Sequence, residues 1–459
     1  MVTAYHKTGH VHKINPIPGP VDRAKLKTLI ERAKRNDNPS RALLKELFAS
    51  PSSPAFIGEE FVQSFLYALD ILRKYSGQRE TGHASITHSL RLVLSLFGWT
   101  NSYGLAEKEG RSFVPIGDIV APSHLIALKG EDYLKIAACA AILHDLLEDS
   151  SKSAAQIEER LAELEKKLTQ IGGAEFAQQV CKFVYLLTNK YDRVQKMAQR
   201  QVANGSSPIK SVEGALRAVR KELVADGLQS YVKMADELLS DVEKMDAMAD
   251  SLPSRLHGSY GSRMGSTKRL FDWLSFKAYA HYSRDLLYAC IENFSSHETS
   301  DIPLLVKWLD GKDNIATMNF SNREKILRAL AKAEIVVRRI DSRENRYANL
   351  RDVAFIPDDI KGWIRYLYER DDVNKDYLAI WQALALDLKC LMVRACIQRA
   401  EMLAKADEPS VAGEMGPFLA EMESKYRSIY VLDERHGFIR LLRKNPIGGL
   451  WIRKPQEYL

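Results

Sequence analysis

Histidine and carboxylates crowded at the end of an apolar helix offer two kinds of chemistry, metal binding and acid–base work. In DYLKIAACAAILHDLLEDS, His144 and Asp145 close a run of small and apolar residues. A charged pair in such a run costs free energy unless it is paired or bound to a metal. Glu148 lies four residues beyond His144 and Asp149 four beyond Asp145, so on one continuous helix these side chains would share a sector. Like charges that close repel and raise carboxyl pKa values, an arrangement that a cation relieves. Two plainer readings stand beside it: a His–Asp ion pair at a helix end, and solvated helix-end acids for Glu148 and Asp149.

A second stretch, KWLDGKDNIAT, spaces Lys307, Asp310, Asn314 and Thr317 three, four and three apart, which is one helical stripe. It follows the apolar run Ile302 to Val306. A polar stripe is odd for a core face, although an exposed face looks the same. Gly311 weakens the helix there.

These stretches need elements to hold them, and the hydrophobic pattern is helical nearly throughout. Helical pattern runs from Val21 to about Phe48 and again from Glu59 to Tyr75, an N-terminal helical cap over 1–75. SGQRETGHASIT, from Ser76 to Thr87, reads as a polar loop that leads into the short buried helix HSLRLVLSLFG, stopped at Gly98. Ser151 to Leu187 reads as two amphipathic helices, and charge-rich helical sequence continues to about Asp250. From Pro253 to Arg269 the chain is rich in Gly, Ser and Arg and reads as a mobile loop. Helices resume after it, continue from Asn322 to about Tyr430, and give way to an irregular tail at Pro446, Gly448 and Gly449. Period-two patterning is nearly absent, so the expected class is all-α.

Composition bounds the function. At 459 residues, with 46% hydrophobic and 27% charged residues, the chain has ample material for a core and for two or three packed regions. Its net charge of +7 is spread over interleaved acids and bases, which argues against general nucleic-acid binding but suits attraction of a small anion. The cysteines Cys139, Cys181, Cys290, Cys390 and Cys396 lack CxxC spacing and read as reduced core residues. No signal-like segment or long apolar span is visible, so a cytoplasmic protein without membrane contact is expected.

The order RETGHASITH, HDLLEDS, KWLDGKDNIAT resembles the hydrolase domain of the RelA/SpoT alarmone enzymes and of small alarmone hydrolases, which are phosphohydrolases of the HD type. In that family an Arg-x-Ser-Gly loop precedes a metal-binding histidine, a His-Asp-x-x-Glu-Asp helix follows, and a Lys-x-x-Asp-x-x-x-Asn-x-x-Thr segment closes the site. Arg79, Thr81 and Gly82 match the loop, and His88 stands nine residues beyond Arg79, as the pattern requires. LLTNK, from Leu186 to Lys190, is similar to a Val-Thr-Lys stretch of the family. Two departures lie in the same blocks: Glu80 replaces a usual lysine, and Asp310-Gly311-Lys312-Asp313-Asn314 replaces Asp-Arg-x-His-Asn.

The resemblance implies an HD-domain helical core over 76–320, with insertions at about 99–130 and 151–300 and a C-terminal helical region over 321–459. It implies that His88, His144, Asp145 and Asp310 ligate Mn²⁺ or another divalent metal, and that Glu148 and Asp149 position or deprotonate the attacking water. Arg79, Thr81, Gly82, Asn314 and Thr317 would bind the nucleotide substrate. The implied reaction removes the 3′-pyrophosphate from (p)ppGpp, giving GDP or GTP and pyrophosphate. Glu80 and Asp313 point to an alternative nucleotide such as (p)ppApp. A catalytically silent helical sensor is the alternative of another class, and the extra helices offer surfaces for self-association or a protein partner.

Overall fold

The computed structural model describes residues 23–35, 37, 39–53, 55–75, 85–97, 131–202, 207–251, 266–292, 299, 301–316, 430–433 and 438–441. Arg79, Thr81, Gly82, His83, Thr317, Cys390 and Cys396 lie outside the described residues. So do the 99–130 insertion, the glycine-rich 253–265 stretch and the helical pattern after Asn322.

The described residues are helical, as the periodicity predicts, apart from one antiparallel hairpin of β1 (Tyr430–Asp433) and β2 (Phe438–Leu441), paired Tyr430 to Leu441. Among the described residues, no helix is long and apolar enough to cross a membrane. The chain divides into two compact units.

The first unit takes Met1–Phe65, Gln78–Ile142 and Phe294–Leu459. Its helices are α1 (Arg23–Lys34), α2 (Arg41–Leu44) with a π turn at Lys45–Ala49, the first two turns of α3 (Glu59–Tyr75) up to Phe65, α4 (Ser85–Leu96), α5 (Glu131–Leu143) and α12 (Ile302–Ala316). The single helix expected from Val21 to Phe48 is interrupted. The sequence NDNP, ending at Pro39, denies a helix its ladder hydrogen bond, and Ser40 restarts the chain by accepting from the Leu43 amide at 3.2 Å. On α4 every residue is buried except Arg91. α12 packs on α4, and α1 packs on α4 as well. On α5, Ala137 through Leu143 are buried, with small side chains that let neighbours approach on all sides. Cys139 is among them, and burial pushes its thiol up to about 12, so it is an inert core residue.

The second unit takes Leu66–Gly77 and Leu143–Asn293. It holds the rest of α3 (Glu59–Tyr75), then α6 (Leu146–Ser150), α7 (Ala154–Leu187), α8 (Lys190–Arg200), α9 (Pro208–Ala225), α10 (Gln229–Ser251) and α11 (Thr267–Glu292). α8, α9, α10 and α11 pack on one another, and α6 packs on α7. Side chains start these helices where the sequence supplies them. Ser153, Asn189 and Ser207 each accept from an amide three residues on, and Pro208 opens α9 where no amide is needed. The two helices expected between Ser151 and Leu187 are joined at Gly173, whose φ of 86° and ψ of 175° leave helical geometry. Only glycine adopts that conformation cheaply.

Candidate metal centre

α4 and α12 meet through pairs three residues apart on each. His88 and Arg91 on α4 face Asp310 and Asp313 on α12. Nδ1 of His88 is 2.6 Å from Oδ2 of Asp313, and Nε2 is 3.1 Å from Oδ1 of Asp310. Arg91 donates to both oxygens of Asp313, from Nε at 2.7 Å and from Nη2 at 2.8 Å. The His88 side chain is 1% exposed and Asp313 5%. Burial alone would raise the Asp313 carboxyl pKa. The Arg91 charge and its hydrogen bonds, with those of His88, outweigh burial and hold it well below the usual carboxylate range.

Asp310 is itself held. Lys307 donates to its Oδ2 at 3.0 Å and Asn314 to its Oδ1 at 2.6 Å. Of the stripe expected on this helix, Lys307, Asp310 and Asn314 therefore do act together, and Lys307 is buried rather than solvated.

α5 ends at Leu143, and His144 and Asp145 occupy the turn before α6. The single continuous helix behind the shared-sector expectation is therefore broken. Asp145, at φ −89° and ψ −4°, flanks α6, and its carbonyl accepts from the Asp149 amide at 2.9 Å. His144 is fully buried, and its Nε2 lies 3.0 Å from Oδ1 of Asp145.

The acids of α6 have separate attachments. Oε1 of Glu148 accepts from the Asn189 amide at 2.5 Å, and its carbonyl accepts from Arg193 Nη2 at 2.7 Å. The LLTNK stretch is thus the segment that pins Glu148, through the residue that begins α8. Asp149 is partly buried one position further along.

One ligand atom from each of His88, His144 and Asp145 lies within 4.8 Å of the other two. Two imidazoles and a carboxylate, mostly buried, make a donor set that can hold a divalent metal ion. Donor atoms bound to one ion at about 2.1 Å stand roughly 3 Å apart, and the Nε2–Oδ1 separations at His88–Asp310 and His144–Asp145 are 3.1 and 3.0 Å. A second argument comes from the His88 ring. With Nδ1–H donating to Asp313, Nε2 turns a lone pair toward the Asp310 carboxylate, and only a shared cation or a second ring proton reconciles the two. Asp310 stands outside the group of three, beside His88.

Two residues that support this centre are not expected from the sequence. Nothing in HSLRLVLSLFG singles out Arg91, and Asp313 reads as a substitution beside a nucleotide. The matching signal is faint: opposite charges repeat the i, i+3 spacing of His88–Arg91 and Asp310–Asp313, which becomes informative only once the two helices are known to touch. Asp313, bound to His88 and Arg91, supports the ring from behind.

No protein-family model matches the chain, and comparison with characterised proteins and with solved structures finds no match either.

Proposed function

We propose that the chain is a metal-dependent phosphohydrolase acting on a nucleotide, and that its reaction is removal of the 3′-pyrophosphate from (p)ppGpp. The observation that carries this reading is the donor set of His88, His144 and Asp145 within 4.8 Å, with Oδ1 of Asp310 3.1 Å from Nε2 of His88. A divalent ion such as Mn²⁺, when bound there, supplies Lewis acidity and lowers the pKa of water, as phosphate-ester hydrolysis at neutral pH requires.

The chain's own residues do the rest. Asp313 fixes the tautomer and the orientation of His88, a carboxylate–imidazole arrangement that raises the basicity of the facing nitrogen. Lys307 and Asn314 hold the Asp310 carboxylate in one rotamer. Glu148, tethered to the Asn189 amide, and Asp149 beside it would take a proton from the attacking water, whose oxygen bonds to the phosphorus on the 3′ oxygen. The bond from that phosphorus to the 3′ oxygen breaks, the 3′ oxygen takes up a proton as the hydroxyl, and pyrophosphate is released. Arg79, Thr81, Gly82, Asn314 and Thr317 bind the phosphates and sugar of the substrate.

Among nucleotides, guanosine alarmones are favoured over (p)ppApp. The Asp313 substitution acts on the ring of His88 and leaves Glu80 and Gly311 as the departures bearing on base recognition. The test is a panel of (p)ppGpp, (p)ppApp and ordinary nucleoside triphosphates, with released pyrophosphate measured separately from phosphate. Pyrophosphate release from (p)ppGpp that is lost in the Glu148→Gln, Asp149→Asn variant is expected. Equal inactivity of wild type and that variant on every nucleotide would favour the helical sensor instead.

A further inference from the structure

We propose that the groove between the last turns of α3 and the middle of α7 is a binding site for a compact phosphate polyanion, separate from the metal centre. Lys74 and Tyr75 of α3 and Arg160, Glu163, Lys166 and Lys167 of α7 line a cavity of about 350 Å³ there. All belong to the second unit, and the inference does not depend on the hydrolase reading.

The charge is one-sided. Four cations line the groove and a single carboxylate, Glu163, is already paired with Arg160. Lys166 and Lys167 are exposed and, among the described residues, form no ion pair. Four like charges around one small space repel each other, and an anion between them turns that repulsion into attraction.

The groove also holds its cations in place. The Arg160 guanidinium carbon stands 4.3 Å from the centroid of the Tyr75 ring, and Lys74 Nζ stands 4.9 Å from the same centroid. Cation–π contact and the Glu163 bond orient the guanidinium, which lowers the entropy lost when a ligand is gripped. The Tyr75 hydroxyl registers the field: its contact with Lys74 first, and the nearby Arg160 charge, lower its pKa.

The same guanidinium carries an unmet donor. Nε of Arg160 is buried and makes no hydrogen bond among the described residues. A buried guanidinium donor left unmet costs free energy, and a phosphate oxygen is the acceptor its planar fork fits best. Glu163 accepts from Nη1 of the same guanidinium.

The shared chemistry is a chain of phosphates, free or carried on a nucleoside. The full chain is titrated by calorimetry with inorganic tripolyphosphate in the presence of EDTA, so that a metal centre contributes nothing. Saturable binding at one per chain is expected, weakened about tenfold or more in a Lys166→Glu, Lys167→Glu variant. Lys221 and Lys233 are exposed on other helices, and their double Glu variant makes the same charge change elsewhere. It should bind within twofold of wild type, as should His144→Ala.

Adenosine and guanosine triphosphates form the second arm. Tighter binding than tripolyphosphate assigns the site to a nucleoside polyphosphate, and equal binding assigns it to the phosphates alone. Absence of saturable binding, equal weakening by the two double variants, or loss in His144→Ala would each overturn the proposal.

Discussion

Each unit of this protein contains a histidine set between two carboxylates and an arginine, and the arginine stands differently in the two. In the second unit His281 of α11 lies 2.7 Å from Asp241 and 3.4 Å from Glu237, both on α10. Arg284, one turn on, places Nη1 3.2 Å from Nδ1 of His281 and Nη2 2.8 Å from Glu237. Tyr191 of α8 stacks on the imidazole and donates to Glu237 and Asp285. There the guanidinium already occupies the position a metal ion would need, so the cluster ties α8, α10 and α11 together. In the first unit Arg91 is drawn to the back of the ring by Asp313, and the Nε2 side of His88 is left to other donors. Whether a histidine with acids around it can serve a metal ion depends on where the neighbouring arginine goes.

The largest effect expected from breaking this contrast is on chemistry. His144→Ala or Asp145→Asn removes a donor and should lower nucleotide hydrolysis by about 4 kcal/mol of transition-state stabilisation, on the order of a thousandfold in kcat/KM. Asp241→Asn, the matching change at His281, should leave hydrolysis within about twofold, since it touches no metal donor. Steady-state kinetics on the same nucleotide would show both.

Next comes stability. Arg91→Met removes both guanidinium bonds to the buried Asp313 carboxylate and should cost about 3–5 kcal/mol. The side chain of Arg284 is 32% exposed and that of its partner Asp285 42%. Arg284→Met should therefore cost only about 1 kcal/mol. Urea denaturation measures both, and comparable costs would erase the distinction.

A smaller effect isolates the support of the ring. Asp313→Asn keeps the shape and should weaken metal affinity about ten- to hundredfold, as loss of an outer carboxylate partner does. Competition with a chromogenic chelator reads it, and unchanged affinity would mean that Asp313 serves only Arg91.

The smallest is a pH effect. The Asp313 carboxyl is held well below its ordinary 3.8, so its contribution to stability is complete above that value. It is lost as pH falls below 3.8 toward the folded value, because the unfolded chain takes up the proton first. Glu237 shifts the same way from 4.5: burial opposes the shift, but the Arg284 and Tyr191 hydrogen bonds outweigh it. Wild type should lose stability more steeply than Asp313→Asn as pH falls from about 4 to 2, and the matching comparison with Glu237→Gln should show a shallower difference. Parallel acid limbs in wild type and Asp313→Asn would contradict this.

Much of the fold is legible because local rules suffice for it. α3 runs from Glu59 to Tyr75, where periodicity and flanking residues put it, and the two halves of α7 follow from the glycines at 172 and 173. The break after Leu143 is not legible, since AACAAILHDLLEDS contains neither glycine nor proline. That turn follows from packing and from the tethers on Glu148, which reach forty-odd residues along the chain to Asn189 and Arg193. The candidate ligands are recognisable by residue type and order. Arg91 and Asp313 are not, because their meaning lies in a contact spanning 222 residues that no local pattern encodes.

The most direct test is the metal stoichiometry of the purified full chain, by inductively coupled plasma mass spectrometry, for wild type beside His88→Ala, His144→Ala and Asp241→Asn. About one divalent ion per chain in wild type and Asp241→Asn, with none in the two His→Ala variants, is the predicted result. A wild-type chain that binds no ion when dialysed against Mn²⁺, or one whose ion survives both His→Ala changes, would contradict the assignment of this centre.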